Sequence, residues 1–223
     1  MRDNGAKFIP ELTVPVVEMP YVASSTIQDS ENYTSVSSIG TISNYTQEDY
    51  AKQLTDEYIE LGIDPELVWP ASRNWADTTY WVKNTPFKHA VAVEENNSVY
   101  YLDSTELQKH IKDIHDAGVQ LLAAPTWMLV DMENTAEVKK IIASNYTKIL
   151  KQVGFDMIGF TVERSAPTSK GGGYYYQTVR ERLKNDGDMF FMLQALHREV
   201  GAVGVFSDWP ATTTFYANCM QVE

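Results

Sequence analysis

Three carboxylates lie at or just beyond the ends of short apolar runs, namely Glu11, Glu163 and Asp208. In proteins that alternate strands and helices, active sites form at the carboxyl ends of the strands. Carboxylate oxygens at such positions can hold a hard cation such as Ca²⁺ or Mg²⁺, or contact a polar substrate. A structural hydrogen bond is the alternative for any one of them, but three at one edge favour a site.

The four histidines give a weaker signal. His110 and His115 are five residues apart, whereas two metal ligands on one helical face are usually four apart. His89 opens an apolar run and His197 lies in an amphipathic stretch, and no histidine is near a glycine-serine elbow or a cysteine nucleophile. We therefore expect surface or core positions for all four.

A glycine-rich run, Lys-Gly-Gly-Gly-Tyr-Tyr-Tyr over residues 170–176, falls between an apolar run and the next amphipathic stretch. Backbone N–H groups of such loops can bind phosphate. The run lacks the spacing of a nucleotide-binding motif, so a mobile lid that carries tyrosines is an equal alternative.

The elements that must position these residues follow from a repeated alternation of apolar and amphipathic stretches, which predicts a parallel sheet flanked by helices. The predicted strands are Phe8–Leu12, Leu67–Ala71, His89–Val93, Val119–Ala123, Met157–Thr161 and Val203–Phe206. The predicted helices are Gln47–Leu61, Trp75–Lys83, Ser104–Ala117, Ala136–Val153 and Asp188–Val200.

Glycines mark three of the helix ends: Gly62, Gly118 and Gly154 each follow a predicted helix. Glycine after a helix and before a strand is the usual connection in alternating α/β folds. Six strands are compatible with an open six-stranded sheet or with a closed eight-stranded barrel that lacks two units, and strand number alone does not separate them.

Residues 21–46 are rich in serine and threonine and show no periodicity, which predicts an insertion after the first strand. As a connection between a strand and a helix, it would lie at the edge where active sites form. A solvated surface loop is the alternative.

Composition limits the class of partner. The chain has 223 residues, 43% hydrophobic and 22% charged, with a net charge of −12, which is typical of a globular domain. An acidic surface repels phosphate backbones, so we expect no nucleic-acid partner, and a bound phosphate would need a cation beside it. The charge is equally compatible with a purely solubilising surface.

Cys219 is the only cysteine, which excludes an intrachain disulfide and a cysteine-based metal site. No run of 18 apolar residues predicts a membrane span, and the first five residues do not resemble a signal peptide. Four Asn-x-Ser/Thr triplets favour the secretory pathway or an extracellular location. They begin at Asn32, Asn44, Asn96 and Asn145.

Several segments closely resemble glycerophosphodiester phosphodiesterases. The most specific is GVFSDWPATTTFYANCM at residues 204–220, which is similar to the closing strand and tail of that family. Further similar segments are Pro10-Glu11-Leu12, APTWML at 124–129, TVERS at 161–165, the loop at 171–177 and NDGDM at 185–189. The resemblance runs from about residue 7 to residue 220.

This resemblance implies a (β/α)8 TIM-type barrel in which the six strands are the third to the eighth, so that residues 1–223 form one partial domain of about six βα units. It implies Glu11 as a ligand of a divalent cation, Ca²⁺ or Mg²⁺. The residues implied to bind a small glycerophosphodiester are Ser72, Trp127, Glu163, Asp208 and Trp209.

The family's reaction is hydrolysis of a glycerophosphodiester to glycerol 3-phosphate and an alcohol, with two histidines as acid and base. These come from a His-Arg pair on the first strand and a histidine after a Glu-x-Asp pair on the second. Neither strand has a counterpart in this sequence, so the resemblance implies a fragment that is inactive alone, with no catalytic residue of its own. Open strands at the two ends of the incomplete barrel predict self-association.

The sequence also departs from the family inside the matched region. Thr13 stands where the family has lysine, and Ala71 and Arg73 flank Ser72 where related proteins have glutamine and phenylalanine; Phe160 replaces a frequent tryptophan. A loss of positive charge at Thr13 favours an alternative reading as a barrel-type binding protein without catalysis. The sphingomyelin-cleaving group, which shares the barrel, is a more distant alternative.

Overall fold

Parallel strands alternate with helices along the chain, as the sequence predicts. The computed structural model describes residues 6–12, 46–134, 139–162 and 173–220, together with the backbone of residues 28–29 and 32–33. The chain divides into two compact units, Met1–Ala90 and Val91–Glu223, called the first and second unit below. The predicted single domain over residues 1–223 stays a prediction.

In the first unit, strands β1 (Glu11–Leu12) and β4 (Ala71–Ser72) pair in parallel, with Glu11 opposite Ala71. A further parallel bridge joins Phe8 to Val68. Between them, β2 (Gln28–Asp29) and β3 (Asn32–Tyr33) form an antiparallel pair inside the predicted insertion. The other residues of that insertion, up to 45, lie outside the described residues.

Two helices, α1 (Gln47–Glu60) and α2 (Trp75–Asn84), complete the first unit. Thr46 caps α1, and its side chain and backbone both bond to Asp49, an arrangement that satisfies donors left open at a helix start. Trp81 of α2 is fully buried, and its indole N–H donates to the carbonyl of Ala51 at 2.8 Å. Trp81 therefore links α2 to α1 within the core of the unit, and its buried donor is satisfied.

The second unit is built on a four-stranded parallel sheet in the order β5 (Val91–Val93), β6 (Leu121–Pro125), β9 (Asp156–Phe160) and β10 (Gly204–Phe206). Strand β6 is buried at all five positions, as expected of a central parallel strand covered on both faces. Helices α3 (Asn97–Tyr100), α4 (Ser104–Asp116) and α6 (Asn145–Val153) follow β5 and β6. The chain is thus a mixed α/β protein with six strands paired in parallel, two in the first unit and four in the second.

Helix α4 shows how the sequence fixes these boundaries. Asp103 accepts hydrogen bonds from the backbone N–H groups of the first turn, and Gly118 has a φ of 101° just beyond the last turn. Its buried residues Leu107, Ile111 and Ile114 follow the helical period. Both end signals and the buried face agree with the prediction for this segment.

The predicted helix Ala136–Val153 is wrong over residues 139–143. These residues form strand β8 (Lys139–Ala143), which pairs antiparallel with β7 (Val130–Asn134) in a hairpin, and among the described residues of the predicted helix only α6 is helical. The β-branched Ile141 and Ile142 favour a strand when a partner strand is adjacent. Ser144 then starts α6, because its side chain accepts the backbone N–H of Thr147.

The rest of the second unit packs beside this hairpin. A short helix α5 (Thr126–Leu129) precedes it, and a 3₁₀ segment spans Tyr174–Val179. Helix α7 (Met189–Ala195) continues into one π-helical turn, Leu196–Val200, which Gly201 ends with a φ of 69°. Helix α8 (Pro210–Met220) closes the described chain. None of the helices in the described residues has both the length and the hydrophobicity needed to cross a bilayer.

Candidate functional site

The carboxyl ends of the parallel strands carry several polar side chains that could act on a ligand. In the first unit, Glu11 lies on β1 and Arg73 follows the neighbouring β4. One oxygen of the Glu11 carboxylate is 3.2 Å from the Arg73 guanidinium, and both side chains are partly exposed, at 45% and 36%. Because solvent reaches both groups, a ligand could contact the pair without unfolding the unit.

Ser72, predicted to bind substrate, is buried beside this pair. Its hydroxyl donates to Asp77 at 2.7 Å, and the amide of Gln47 donates to both oxygens of the same carboxylate at 2.9 and 3.0 Å. Burial raises the pKa of Asp77, and the hydrogen bonds from Ser72 and Gln47 oppose that rise. In this structure Ser72 serves to hold Asp77, and its contact with a substrate stays a prediction.

In the second unit, Glu94 directly follows β5 and is buried, with 5% of its side chain exposed. One carboxylate oxygen accepts the backbone N–H of Asn96 at 2.7 Å, and the other lies 3.3 Å from Nε2 of His110 on α4. His110 is 23% exposed. This pair can hold or exchange a proton, and it lies at the edge of the sheet where α/β proteins place their sites.

Two buried polar groups belong to the same part of the second unit. The hydroxyl of Tyr146 and the indole N–H of Trp127 have no hydrogen-bond partner among the described residues. Burial raises the pKa of Tyr146 well above its usual value, and the charge of Glu94 raises it further. Buried donors without partners are uncommon in folded proteins and mark positions that water or a ligand can satisfy.

Trp127, one of the predicted substrate-binding residues, is 1% exposed. It follows β6 on helix α5, and its ring meets that of Tyr100 edge to face at 4.9 Å between centroids. The hydroxyl of Thr178 donates to its carbonyl at 3.0 Å. Its contact with a substrate stays a prediction, and the only group it offers beyond packing is the unpartnered N–H.

Asp208 and Trp209 follow β10 and are exposed, Trp209 at 59%. The backbone N–H of Trp209 donates to the hydroxyl of Ser207 at 3.1 Å. Since β6 and β10 run parallel in one sheet, Trp127 and Asp208 belong to the same edge of that sheet. Glu163 would follow β9 at this edge, but it lies outside the described residues, so the convergence of the three carboxylates stays a prediction.

The other histidines lie elsewhere. Nε2 of His89 is 3.1 Å from the exposed carboxylate of Glu66, and the ring of His115 packs edge to face on Phe155. His197 lies on the π-helical turn and is exposed. Their positions agree with the expected surface and core roles.

Sequence reasoning missed Glu94, although the available signal was the one used for Glu11. An acidic residue directly follows the apolar run that ends at Val93. Its importance comes from His110, sixteen residues later, and no local pattern pairs the two.

Glu11 and the other described residues do not by themselves form a divalent cation site. Across the described ranges, no three side chains of His, Cys, Asp or Glu lie close enough together to hold a metal ion. Ca²⁺ requires six to eight oxygen ligands, and Glu11 is one carboxylate beside a guanidinium. No catalytic step through a cation follows from this geometry.

The glycine-rich run is described only from Gly173 onward, because residues 170–172 lie outside the described residues. Gly173 has a φ of 114°, and the 3₁₀ segment begins directly after it. Tyr174 is half exposed and Tyr176 is buried. The predicted phosphate or lid role of this run stays a prediction.

The chain is similar to a protein known from its sequence. A protein of Arthroderma benhamiae described as "Extracellular protein" is 28% identical over 229 residues, an alignment that covers 98% of this chain and 81% of that protein. No protein-family model matches the chain.

Proposed function

We propose that this chain is a phosphodiester-binding α/β protein of the glycerophosphodiester phosphodiesterase type, with the TIM-type barrel of that family. The observation that carries the proposal is the solvent-accessible pair of Glu11, on β1, and Arg73, which directly follows the neighbouring parallel strand β4. A guanidinium recognises phosphate oxygens through two parallel hydrogen bonds. The pair therefore offers a cation for the phosphate and an acceptor for the hydroxyls of a glycerol group.

Arg73 also compensates for the main departure from the family, which is Thr13 in place of a lysine. Thr13 removes the positive charge that the family places beside its glutamate, but Arg73, which replaces a phenylalanine, brings a guanidinium to within 3.2 Å of Glu11. The positive charge is thus supplied by a residue that directly follows the neighbouring strand β4. This substitution supports a retained phosphate-binding role.

The proposal includes binding of a phosphodiester by this chain but not its hydrolysis. A positioned acid or base contributes roughly 10²–10⁴-fold in rate, and the strands that bring the family's histidines have no counterpart among these residues. We expect no hydrolysis of glycerophosphocholine by the 223 residues, with or without Ca²⁺. Any role of Glu11 as a ligand of Ca²⁺ or Mg²⁺ requires further oxygen ligands from outside the described residues.

Isothermal titration of the purified chain with glycerol 3-phosphate and glycerophosphocholine tests the proposal. We expect saturable binding that weakens at least about tenfold in Arg73→Gln, since hydrogen bonds between charged groups contribute about 1.5–3 kcal/mol. Arg180→Gln, which removes an exposed arginine of the second unit, is the matched control and should bind normally. Equal affinity in both variants would refute the role of Arg73, and no binding by the unmodified chain would refute the proposed function.

The second candidate, a non-catalytic barrel-type binding protein that has lost the family's chemistry, is favoured by the way polar groups at the strand ends satisfy one another, as Ser72 and Gln47 satisfy Asp77. Both candidates predict no hydrolysis by this chain, so measurable turnover would contradict both. If the purified chain hydrolyses glycerophosphocholine, His110 is the histidine to test, because it alone among the four contacts a buried carboxylate in the described residues. Loss of that turnover in His110→Gln would place it in catalysis.

An extracellular location is part of the proposal, because the similar protein bears the description "Extracellular protein". Two of the four glycosylation triplets lie in described residues with side chains. Asn96 and Asn145 are both exposed, Asn96 at the start of the short helix α3. Secretion from a eukaryotic host should therefore yield a glycan at Asn96, detected as a mass decrease in Asn96→Gln.

Self-association is also proposed, through the edge strand β10. Within the second unit this strand pairs only with β9 among the described residues, and Val203 beside it is 55% exposed. Open edges of this kind can pair with a second chain. Sedimentation should show a larger species that Val205→Lys reduces, because a charged side chain on an edge strand opposes pairing.

A further inference from the structure

A pocket of about 220 Å³ in the second unit gathers positive charge in a strongly acidic protein. Lys140 from the hairpin strand β8, Arg182, and Arg198 from the π-helical turn line it, and Glu199 is the one carboxylate in the lining. Three cations against one carboxylate leave two net positive charges, whereas the whole chain carries −12. This local reversal of sign favours an anionic ligand.

The cations are held in place by their neighbours. Lys140 contacts the Glu199 carboxylate at 2.7 Å, and this hydrogen bond raises its pKa, so it stays charged. The Arg182 guanidinium lies 3.4 Å from the centre of the Phe191 ring, which is a stabilising arrangement for a cation. Arg198 lies on a π-helical turn, a form of helix that recurs at functional sites.

An apolar groove of about 210 Å³ adjoins this pocket and shares Phe191 and Gln194 with it. Phe215 and Met220 of helix α8 line the groove and are 59% and 39% exposed. Phe191 itself is 40% exposed. An apolar surface next to a cationic pocket is the pattern expected for a ligand with a charged end and an apolar end.

Tyr216 of helix α8 lines the apolar groove, and its hydroxyl is buried with no hydrogen-bond partner among the described residues. Burial raises its pKa, while the nearby charge of Arg198 acts in the opposite direction. The hydroxyl is therefore a neutral donor near a cation, and an anionic head group could accept its hydrogen bond.

We propose that the pocket and the groove together bind a single-chain anionic amphiphile, such as a fatty acid or a lipid with one acyl chain and a phosphate. The head group would lie among Arg182, Arg198 and Tyr216, and the chain would cover Phe215 and Met220. Burial of apolar surface is favourable, so the acyl chain supplies affinity that a small inorganic anion lacks. None of these residues belongs to the strand-end site, so the inference is independent of the proposed function.

Cys219 provides the assay, because it is the only cysteine, is exposed and lines the groove. Alkylation by iodoacetamide, followed by mass spectrometry, should slow at least about fivefold when dodecanoate or dodecyl phosphate is added below its micelle concentration. Inorganic phosphate and the uncharged dodecyl maltoside should leave the rate unchanged. Protection by the uncharged amphiphile to the same extent would overturn the role of the cations.

Variants then locate the two halves of the site. Arg198→Glu should weaken protection at least about tenfold, whereas Lys112→Glu, an exposed lysine of α4, should not. Tyr216→Phe should weaken it several-fold, as expected for the loss of one hydrogen bond to a charged group. Phe215→Ser should weaken protection by dodecyl phosphate, and Tyr101→Ser, at a residue that is 74% exposed, is its control.

The same alkylation assay distinguishes a free amphiphile from a membrane surface as the source of the ligand. Protection by free dodecyl phosphate supports the proposal, while protection only by phosphatidylglycerol vesicles would replace it with binding to a membrane surface. If Arg198→Glu shows no thermal unfolding transition, the variant does not fold. Arg182→Gln then tests the positive charge of the pocket at a residue outside the π-helical turn. Unchanged protection in a folded Arg182→Gln and a folded Tyr216→Phe would overturn the site.

Discussion

Glu11 and Glu94 are both associated with the ends of parallel strands, but their surroundings are opposite. Glu11 in the first unit is 45% exposed and pairs with Arg73, whereas Glu94 in the second unit is 5% exposed and pairs with His110. A charged group in water exchanges partners at little cost, but a buried one must keep its own. The first arrangement suits reversible ligand binding, and the second suits a fixed internal network.

The same contrast in exposure separates two tryptophans that the family resemblance places in one substrate site. Trp127 is 1% exposed with an unpartnered N–H, and Trp209 is 59% exposed. Only an exposed ring can stack on a ligand without rearrangement. We infer that Trp209 is the better candidate for direct substrate contact and that Trp127 shapes the edge from beneath.

The largest expected effect follows from this pair. Trp127→Ala should lower the free energy of unfolding by about 3–5 kcal/mol, because it removes a large buried side chain and leaves a cavity. Trp209→Ala should change it by less than about 0.5 kcal/mol, as for other surface positions. Urea denaturation followed by circular dichroism measures both. Comparable losses in the two variants would contradict the assigned burial.

A smaller effect distinguishes the two glutamates. Glu94→Gln should destabilise the protein by about 2 kcal/mol, since it weakens hydrogen bonds to a buried charged group. Glu11→Gln should cost no more than about 1 kcal/mol, the usual range for an exposed ion pair. The same denaturation experiment applies, with ligand titration added: only Glu11→Gln should alter glycerol 3-phosphate binding. The comparison fails if Glu11→Gln proves the more destabilising change.

Much of the fold could be predicted because local chemistry specifies it. Apolar runs located all six parallel strands, and Gly62, Gly118 and Gly154 follow helices with φ values of 63°, 101° and 104°. These signals act within a few residues. The hairpin of β7 and β8 was missed because strand and helix preferences of Lys139–Ala143 are close, and pairing with Val130–Asn134 decides between them.

The candidate site was less predictable for the same reason. The positions of Glu11 and Asp208 beside strands followed from the pattern, but the partners Arg73 and His110 come from other elements. Spacing along the chain does not encode such contacts. The π-helical turn that carries Arg198 was likewise missed, because Asp188–Val200 reads as one continuous helix.

The smallest effect concerns two aspartates of the first unit with opposite pKa shifts. Hydrogen bonds from the backbone and side chain of Thr46 lower the pKa of Asp49 below 3.8. Burial raises the pKa of Asp77 above 3.8, and the bonds from Ser72 and Gln47 only partly offset it. Asp49 thus stabilises the fold above pH 3.8, and this contribution is lost as pH falls through its folded pKa.

Asp77 acts in the reverse direction, because the folded state holds its proton more tightly than the unfolded state does. Its contribution favours folding at low pH and declines as pH rises from 3.8 through its folded pKa. Asp49→Asn should therefore flatten the loss of stability in acid, and Asp77→Asn should steepen the rise of stability as pH increases above 3.8. Thermal melts from pH 3 to 7 measure both slopes. Slopes that change in the same direction in the two variants would show that one carboxylate has been assigned the wrong environment.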